Sequence, residues 1–375
     1  MKKLKTAIIG CGKVAHLHAR GLINLEMSEF VAVWSRTFVN AQAFAKKYKV
    51  KAYPQIKDLI RDAKIDVAVI STAHPFHAKP AIECMDFGVH ILVEKPLASS
   101  LIDCDNMLSK AKASGVKLGV ISQRRFYQPC QRIRSAIDAG KIGKPILGTV
   151  TMYGWRDRDY YEGDAWRGTW KNEGGGVLVN QAPHQLDLLQ WYMGPIDELF
   201  GFWDNFNHPY IEVDDTALAV IRFKNGGLGN IIVSNSQNPA LYGKISIHGS
   251  NGASIGAQTE GGSMFIAGVS TINTPPVNDV WTVPGEEAML DRWQNEDTAF
   301  FSTINPMEYY IQLQIKDFLT AIINNSEPLV TGEDGRKVVE TITAIYRSQR
   351  DKKPIKFPLQ PEYNRNDFDG RIAYK

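Results

Sequence analysis

The sequence predicts two unlike halves: an α/β half built on a doubly wound parallel sheet, then an α+β half built on a large, mostly antiparallel open sheet. Three observations predict it. Apolar runs alternate with stretches of helical spacing as far as about residue 122. The first apolar run empties directly into a glycine-rich turn, Gly10-Cys11-Gly12-Lys13-Val14-Ala15. Beyond residue 122 the alternation stops, and period-two runs joined by Asn-Gly turns replace it.

In the first half, strands are expected at Thr6–Ile9, Val31–Trp34, Val67–Ser71, Val89–Val93 and Lys117–Ile121. Helices are expected between them, at Val14–Leu25, Val39–Tyr48, Ile56–Asp62, Pro80–Phe87 and Leu101–Ser114. Strands that alternate with helices form a parallel sheet covered on both faces, and such sheets bind ligands at the carboxyl ends of their strands. In the second half, strands are expected at Thr149–Gly154, Thr216–Phe223, Leu228–Ser234 and Lys244–His248, with Asn225-Gly226-Gly227 and Asn251-Gly252 as hairpin turns. A helix is expected to follow Gly174-Gly175-Gly176 as far as Trp191, burying Leu178, Leu188 and Leu189. Pro183 lies inside it and calls for a kink or a later start. Residues 251–300, rich in Gly, Ser, Asn and Thr, read as loop-heavy, with no strand or helix assigned there. Two helices close the chain, about Met307–Asn324 and Glu333–Arg350, the last with Thr331 and Asp334 as a capping box. The expected division is an α/β domain over 1–122 and an α+β domain over 123–375, whose C-terminal helices can pack back on the first.

Composition narrows the function. The 375 residues are 44% hydrophobic and 22% charged, ordinary for globular domains that bury real cores. A net charge of +3, with no basic run interleaved with aromatics, argues against nucleic acid. Cys11, Cys84, Cys104 and Cys130 lie far apart with no C-x-x-C pair, so neither a metal site nor a disulfide framework is expected. No apolar run approaches the ~18 residues of a membrane span. A soluble, cytoplasmic protein follows as the expectation.

The glycine turn has a specific physical use. Gly10 lets the chain turn sharply off the strand, Gly12 leaves the backbone bare toward a pyrophosphate, and Ala15 lets the helix lie close to the sheet. The N–H groups of Lys13 and Val14 then face the anion with the helix dipole behind them. A carboxylate roughly 20 residues further on usually takes the adenosine ribose. Ser35 and Arg36 stand there instead, and a guanidinium suits a 2′-phosphate, so the reading of NAD(P) leans to NADP. Arg36 stacked on the adenine ring would serve either cofactor. Thr72, His74 and His77 follow the third strand, and Glu94-Lys95-Pro96 follows the fourth, all at the cofactor end of the sheet. An X-Pro bond there can be cis and would aim the Lys95 ammonium into the cleft. In the second half, Asn180 and His184 are four apart and are expected on one helical face, with His184 suited to moving a proton near neutral pH. Gln123-Arg124-Arg125-Phe126-Tyr127 leaves the last strand of the first half, and aromatic and basic residues crowd the approach to the glycines, as a polar, aromatic-lined pocket requires; Arg124, Tyr161 and Arg167 are the substrate candidates.

The three motifs together, in this order, resemble the Gfo/Idh/MocA family of nicotinamide-dependent oxidoreductases over nearly the whole chain. The resemblance rests on Gly10–Ala15 with His18, on Glu94-Lys95-Pro96 after Gly88–Val93, and on the triple glycine leading to His184 and Asp187. It implies an N-terminal Rossmann domain and a second domain whose open sheet shapes the substrate site and makes oligomer contacts, in a homodimer or homotetramer. It also implies oxidation or reduction at a hydroxyl-bearing carbon of a sugar, inositol or related polyol, with Lys95 and His184 at the chemistry. Many members carry Asp where this chain has Asn180; an amide cannot take a proton, so Asn180 is cast as an orienting residue. Two other outcomes are compatible with the family: glycoside cleavage through a resident NAD, and a non-catalytic cofactor-binding sensor.

Overall fold

The computed structural model describes residues 3–241, 243–259 and 274–362. It divides into two compact units, Met1–Gln123 with Pro306–Val339, and Arg124–Asn305 with Glu340–Lys375. The first unit is therefore discontinuous in sequence.

Six parallel strands form the sheet of the first unit: β1 (Leu4–Ile9), β2 (Ser28–Trp34), β3 (Lys51–Tyr53), β4 (Val67–Ile70), β5 (His90–Val93) and β6 (Leu118–Val120). Their order is β3-β2-β1-β4-β5-β6, all neighbours parallel. The chain winds outward from β1 and returns to its other side at β4, so the order reverses between those two strands. That reversal opens a crevice at their carboxyl ends. Every residue of β4 is buried, as expected of a strand covered on both faces. Helix Ala15–Ile23 follows the glycine turn, and helix Pro306–Ile323 packs on it: a Cβ at Gly21 would lie 2.9 Å from Ile315 Cδ1, and Arg20 pairs with Glu308 at 2.6 Å. Strand β3 lies outside the expected set because three residues at a sheet edge carry no readable period.

The second unit holds an eight-stranded sheet of β7 (Pro145–Tyr153), β8 (Ile196–Asp204), β9 (Thr216–Phe223), β10 (Leu228–Ser234), β11 (Gly243–Gly249), β12 (Ser254–Gln258), β13 (Val277–Trp281) and β14 (Ile355–Lys356). The order is β13-β12-β11-β7-β10-β9-β8-β14. Among the described residues only β7 and β10 pair in parallel in this sheet, and the other neighbours are antiparallel. Along β9, Ala217, Ala219, Ile221 and Phe223 are buried while Leu218, Val220 and Arg222 face outward. Helix Pro183–Met193 covers the buried face so closely that a Cβ at Gly148 would meet Met193 Cγ at 2.7 Å and Leu189 Cδ1 at 2.9 Å. Asn225-Gly226-Gly227 and Asn251-Gly252 turn β9 into β10 and β11 into β12.

Two expectations are corrected. Residues 251–300 are not loop throughout: they include β12, β13 and helix Met289–Phe301, while 260–273 lie outside the described residues. The helix after the triple glycine is not continuous either. It runs over Val177–Asn180, opens at Gln181 and Ala182, where both N–H groups donate to the Val177 carbonyl, and restarts at Pro183. Proline lacks the N–H that would carry one helix through this point, and it is favoured at a first helical position. Asn180 and His184 therefore do not share a face of one helix. The capping box at the last helix is present: Asp334 N–H donates to Thr331 Oγ1 at 3.2 Å, and Thr331 N–H to Asp334 Oδ2 at 3.3 Å.

Candidate functional site

In the first unit the candidate residues gather at the carboxyl ends of β1, β4 and β5. Gly10 adopts φ 107°, and a Cβ there would lie 2.6 Å from the Thr72 nitrogen. Only glycine fits where the end of β1 meets the end of β4, and Ser71 Oγ closes the junction by donating to the Gly10 carbonyl at 2.7 Å. Gly12 is the opposite case: a Cβ there would meet nothing within 4 Å. No side chain caps the helix that follows. A bare, exposed backbone at an uncapped helix N-terminus is what a dinucleotide pyrophosphate needs, so the residues fit that group. Burial pushes the Cys11 thiol up to about 12, so this turn adds no thiolate charge against a phosphate.

Beyond β2, Ser35 is half-buried and Arg36 is exposed, its guanidinium 5.0 Å above the Phe76 ring. Among the described residues no carboxylate pairs with Arg36. Thr72 Oγ1 donates to the Phe76 carbonyl at 2.9 Å, and His74 is buried in the short turn His74–Phe76. His77 spans two loops: Nδ1 lies 2.9 Å from the Pro96 carbonyl oxygen and Nε2 3.0 Å from that of Thr72. Burial outweighs both carbonyls and the nearby Glu94 charge, lowering its pKa, so a single N–H serves one carbonyl at a time.

Glu94 is buried with both oxygens engaged inside the protein. Oε1 lies 2.8 Å from Nε2 of the fully buried His18, and Oε2 accepts the Lys95 N–H at 3.1 Å. Burial alone would raise this carboxyl; the His18 hydrogen bond and neighbouring positive charges reverse that and hold it below the usual carboxylate range. Glu94 thus supports the loop that carries Lys95. The Lys95–Pro96 peptide is cis, and Lys95 is half-buried.

In the second unit the candidates surround the triple glycine. A Cβ at Gly176 would overlap the Asp214 carbonyl oxygen, and one at Gly175, whose φ is 154°, would strike the Tyr346 hydroxyl. Asp214 organises this turn: its carboxylate accepts from Gly176 N–H at 2.7 Å, Leu178 N–H at 3.1 Å and Tyr346 Oη at 2.6 Å. His184 is buried in the first turn of helix Pro183–Met193. One helical turn on, Asp187 takes a buried two-point grip from Arg125, at 2.8 and 2.6 Å. Asn180 Nδ2 donates to Glu173 Oε1 at 2.5 Å and to Tyr160 Oη at 3.2 Å. Gln181 Nε2 reaches the same phenol at 3.0 Å.

Of the substrate candidates, Arg124 is half-buried, and Tyr161 is buried against His208, with ring centroids 5.5 Å apart. Arg167 lies 4.0 Å above the Tyr160 ring and donates to Asp164 Oδ2 at 3.2 Å. Of the residues that hold Asn180, Tyr160 belongs to the run of aromatics expected to crowd the approach to the glycines, without being singled out from it, and Glu173 carries no spacing signal. Lys95 belongs to the first unit and His184 to the second. No helix among the described residues is long and apolar enough to cross a membrane.

Comparison with known proteins places this geometry in context. Residues 4–122 match the model of an oxidoreductase family's NAD-binding Rossmann fold, and residues 134–357 match that family's C-terminal alpha/beta domain. A myo-inositol 2-dehydrogenase of Thermotoga maritima is 26% identical over 94% of this chain and 98% of its own. A scyllo-inositol 2-dehydrogenase (NAD(+)) of Bacillus subtilis is 25% identical over 96% and 98%. Among solved structures, the WlbA dehydrogenase of Bordetella pertussis, in complex with NADH and UDP-GlcNAcA, superposes with a TM-score of 0.83 at 26% identity, covering 96% of this chain and 99% of that one.

The two glycines of the first turn make opposite predictions. Gly10→Ala carries a positive φ and a backbone clash, and is expected to lose about 3 kcal/mol of stability in thermal or urea unfolding. Gly12→Ala is expected to unfold within about 0.5 kcal/mol of wild type, yet to bind NADH or NADPH at least about tenfold more weakly by fluorescence titration.

Proposed function

This chain belongs to the Gfo/Idh/MocA oxidoreductase family, and from that premise we propose that it oxidises a secondary hydroxyl of an inositol, sugar or related polyol. The observation that carries the reading is the carboxyl end of the parallel sheet, where the bare Gly12 backbone follows β1 and the Lys95 loop follows β5, on either side of β4. The named activities of the inositol dehydrogenase relatives support the substrate class. The relatives give no support to glycoside cleavage or to a non-catalytic sensor.

The residues that would hold the dinucleotide are Gly10, Gly12, Lys13 and Val14 at the pyrophosphate and Ser35 and Arg36 at the ribose, with Thr72, His74 and His77 along the loops beyond β4. When bound, the nicotinamide supplies the hydride acceptor. The protein's part is the hydroxyl proton: His184 takes it as general base, and Lys95 donates a hydrogen bond to the same oxygen as negative charge develops there. Asn180 orients the hydroxyl, and Arg124, Tyr161 and Arg167 contact the rest of the polyol. Arg36, exposed and without a carboxylate partner among the described residues, supports a preference for NADP through the 2′-phosphate.

A homo-oligomer is the second part of the proposal. On the outer face of the second sheet, exposed Phe202 pairs with Leu218, while Val220 and Leu228 continue the apolar surface along neighbouring strands. Such a surface is suited to burial between copies as a dimer or tetramer.

Lys95→Ala and His184→Ala are each expected to lower kcat by at least about 100-fold while changing cofactor affinity less than about threefold. The assay is reduced-nicotinamide absorbance on a panel of inositols, pyranosides and sugar acids. Full activity in both variants would remove the proposed site. In the same panel, NADP is expected to outperform NAD, and sedimentation is expected to return a dimer or tetramer; faster turnover with NAD, or a monomer, contradicts the corresponding part.

A further inference from the structure

Glu173 has no part in the chemistry above, yet it is buried beside the residue proposed to orient the substrate. Only 1% of it is exposed. It closes a turn in which its own N–H donates to the Thr169 carbonyl at 2.9 Å, directly before the triple glycine. Oε2 accepts the Gly168 N–H at 2.5 Å, and Oε1 accepts Asn180 Nδ2 at 2.5 Å. The other hydrogen of that amide nitrogen goes to Tyr160 Oη. Tyr160 is held in turn by Gln181 Nε2, and Gln181 Oε1 accepts from Asn235 Nδ2 at 3.0 Å. With both amide hydrogens committed to this side, Asn180 turns its carbonyl oxygen away from the carboxylate.

An amide has two ends, and its partner decides which end faces outward. An ionised carboxylate can only accept, so it holds the Asn180 nitrogen. A protonated carboxyl can donate, and the Asn180 oxygen then satisfies it while the amide nitrogen swings outward. We propose that Glu173 is a positioning residue of the substrate site: through Asn180 it sets whether a hydrogen-bond acceptor or a donor is presented to the substrate hydroxyl. This rests on the reading of Asn180 as the residue that orients the polyol.

The surroundings allow both states near neutral pH. Burial pushes the Glu173 carboxyl up to about 7, against the opposing pull of the Gly168 and Asn180 hydrogen bonds and of Arg167. Asp214, buried on the other side of the triple glycine, adds like charge. Tyr160 and Tyr161 from helix Arg158–Glu162, and Tyr346 from helix Gly332–Asp351, also face it, each with a phenol pKa raised by burial and therefore neutral here.

The test reads Asn180 directly in the whole protein. With asparagine selectively labelled with nitrogen-15, and the Asn180 side-chain amide assigned by its absence in Asn180→Ala, that resonance is expected to shift with pH with a midpoint near 7. Glu173→Gln keeps an acceptor for Gly168 and turns an N–H toward Asn180, imitating the protonated carboxyl; its amide resonance is expected to stay at the low-pH position throughout. In steady-state oxidation of myo-inositol, or of the best polyol in the panel, wild-type KM is expected to rise about tenfold as pH falls through this range, the scale of one mispaired hydrogen bond. Glu173→Gln is expected to hold the high KM at every pH, and adding Asn180→Asp to it is expected to lower KM again by restoring an acceptor. An Asn180 amide that ignores pH, or titrates identically in Glu173→Gln, overturns the proposal whatever the protein does with polyols. An amide that titrates while KM stays flat overturns its bearing on substrate. Absence of all polyol turnover with the amide response intact refutes the proposed activity and upholds the coupling of Glu173 to Asn180.

Discussion

A carboxylate buried at the end of a parallel sheet is the constraint on which the first unit turns. Removing Glu94 from water costs several kcal/mol unless its charge is matched and its lone pairs are filled. His18, buried one turn into the helix that follows the glycine turn, meets one oxygen, and the Lys95 N–H meets the other. These contacts tie together segments 76 residues apart in sequence. The helix whose N-terminus suits a pyrophosphate is thereby the same helix that fixes the loop carrying Lys95. His77 adds the loop beyond β4 through the carbonyls of Thr72 and Pro96. Three loops from three strands are held as one set by two buried imidazoles and one carboxylate, which is how a site built on loops acquires the rigidity of the sheet beneath it.

The second unit solves a similar problem with a different device. There the buried acid is Asp214, and the donors that satisfy it are backbone N–H groups of the turn it organises, with the Tyr346 hydroxyl. The triple glycine is needed because the Asp214 backbone and the Tyr346 hydroxyl occupy the places where side chains would stand. The wide turn at Gln181 and Ala182 then restarts the helix at Pro183 and sets His184 in its first turn, braced by the Arg125–Asp187 pair one turn later. Asn180 is left at the end of its own short helix, answering to Glu173 and Tyr160.

Local signals carried the elements that depend on local physics. The G-x-G-x-x-A turn, the all-apolar run of β4, the strict alternation of β9 and the Asn-Gly hairpins each have a cause within a few residues, and each stands where the sequence places it. Strands β3, β8, β12, β13 and β14 escaped: four are short, owe their existence to neighbours and show no period of their own, while β8, nine residues long, lacks a strict alternation of buried and exposed positions. At the site, Gly12, Lys95 and His184 were legible from motif and order. Their supports were not. Glu94 reads as a cofactor contact, and nothing in its spacing announces that His18 and the Lys95 N–H engage its two oxygens, just as Asp187 gives no hint of Arg125 across 62 residues. Glu173 carries no spacing signal because its partner Asn180 lies across a glycine turn, where neither helical nor strand periodicity applies. Long-range polar pairing is a property of the folded chain, and sequence patterning does not encode it in any readable interval.

The most direct test of the claim that buried hydrogen bonds place Lys95 is to compare Glu94→Ala with Glu94→Gln. Glutamine can still accept the Lys95 N–H and bond His18, so it retains placement while removing charge; alanine removes both. With thermal unfolding confirming a folded protein, Glu94→Ala is expected to lose about 100-fold in kcat with cofactor affinity nearly unchanged, and Glu94→Gln to recover all but about tenfold of it. A folded Glu94→Ala variant with undiminished kcat, or a glutamine variant as impaired as the alanine one, would contradict the account.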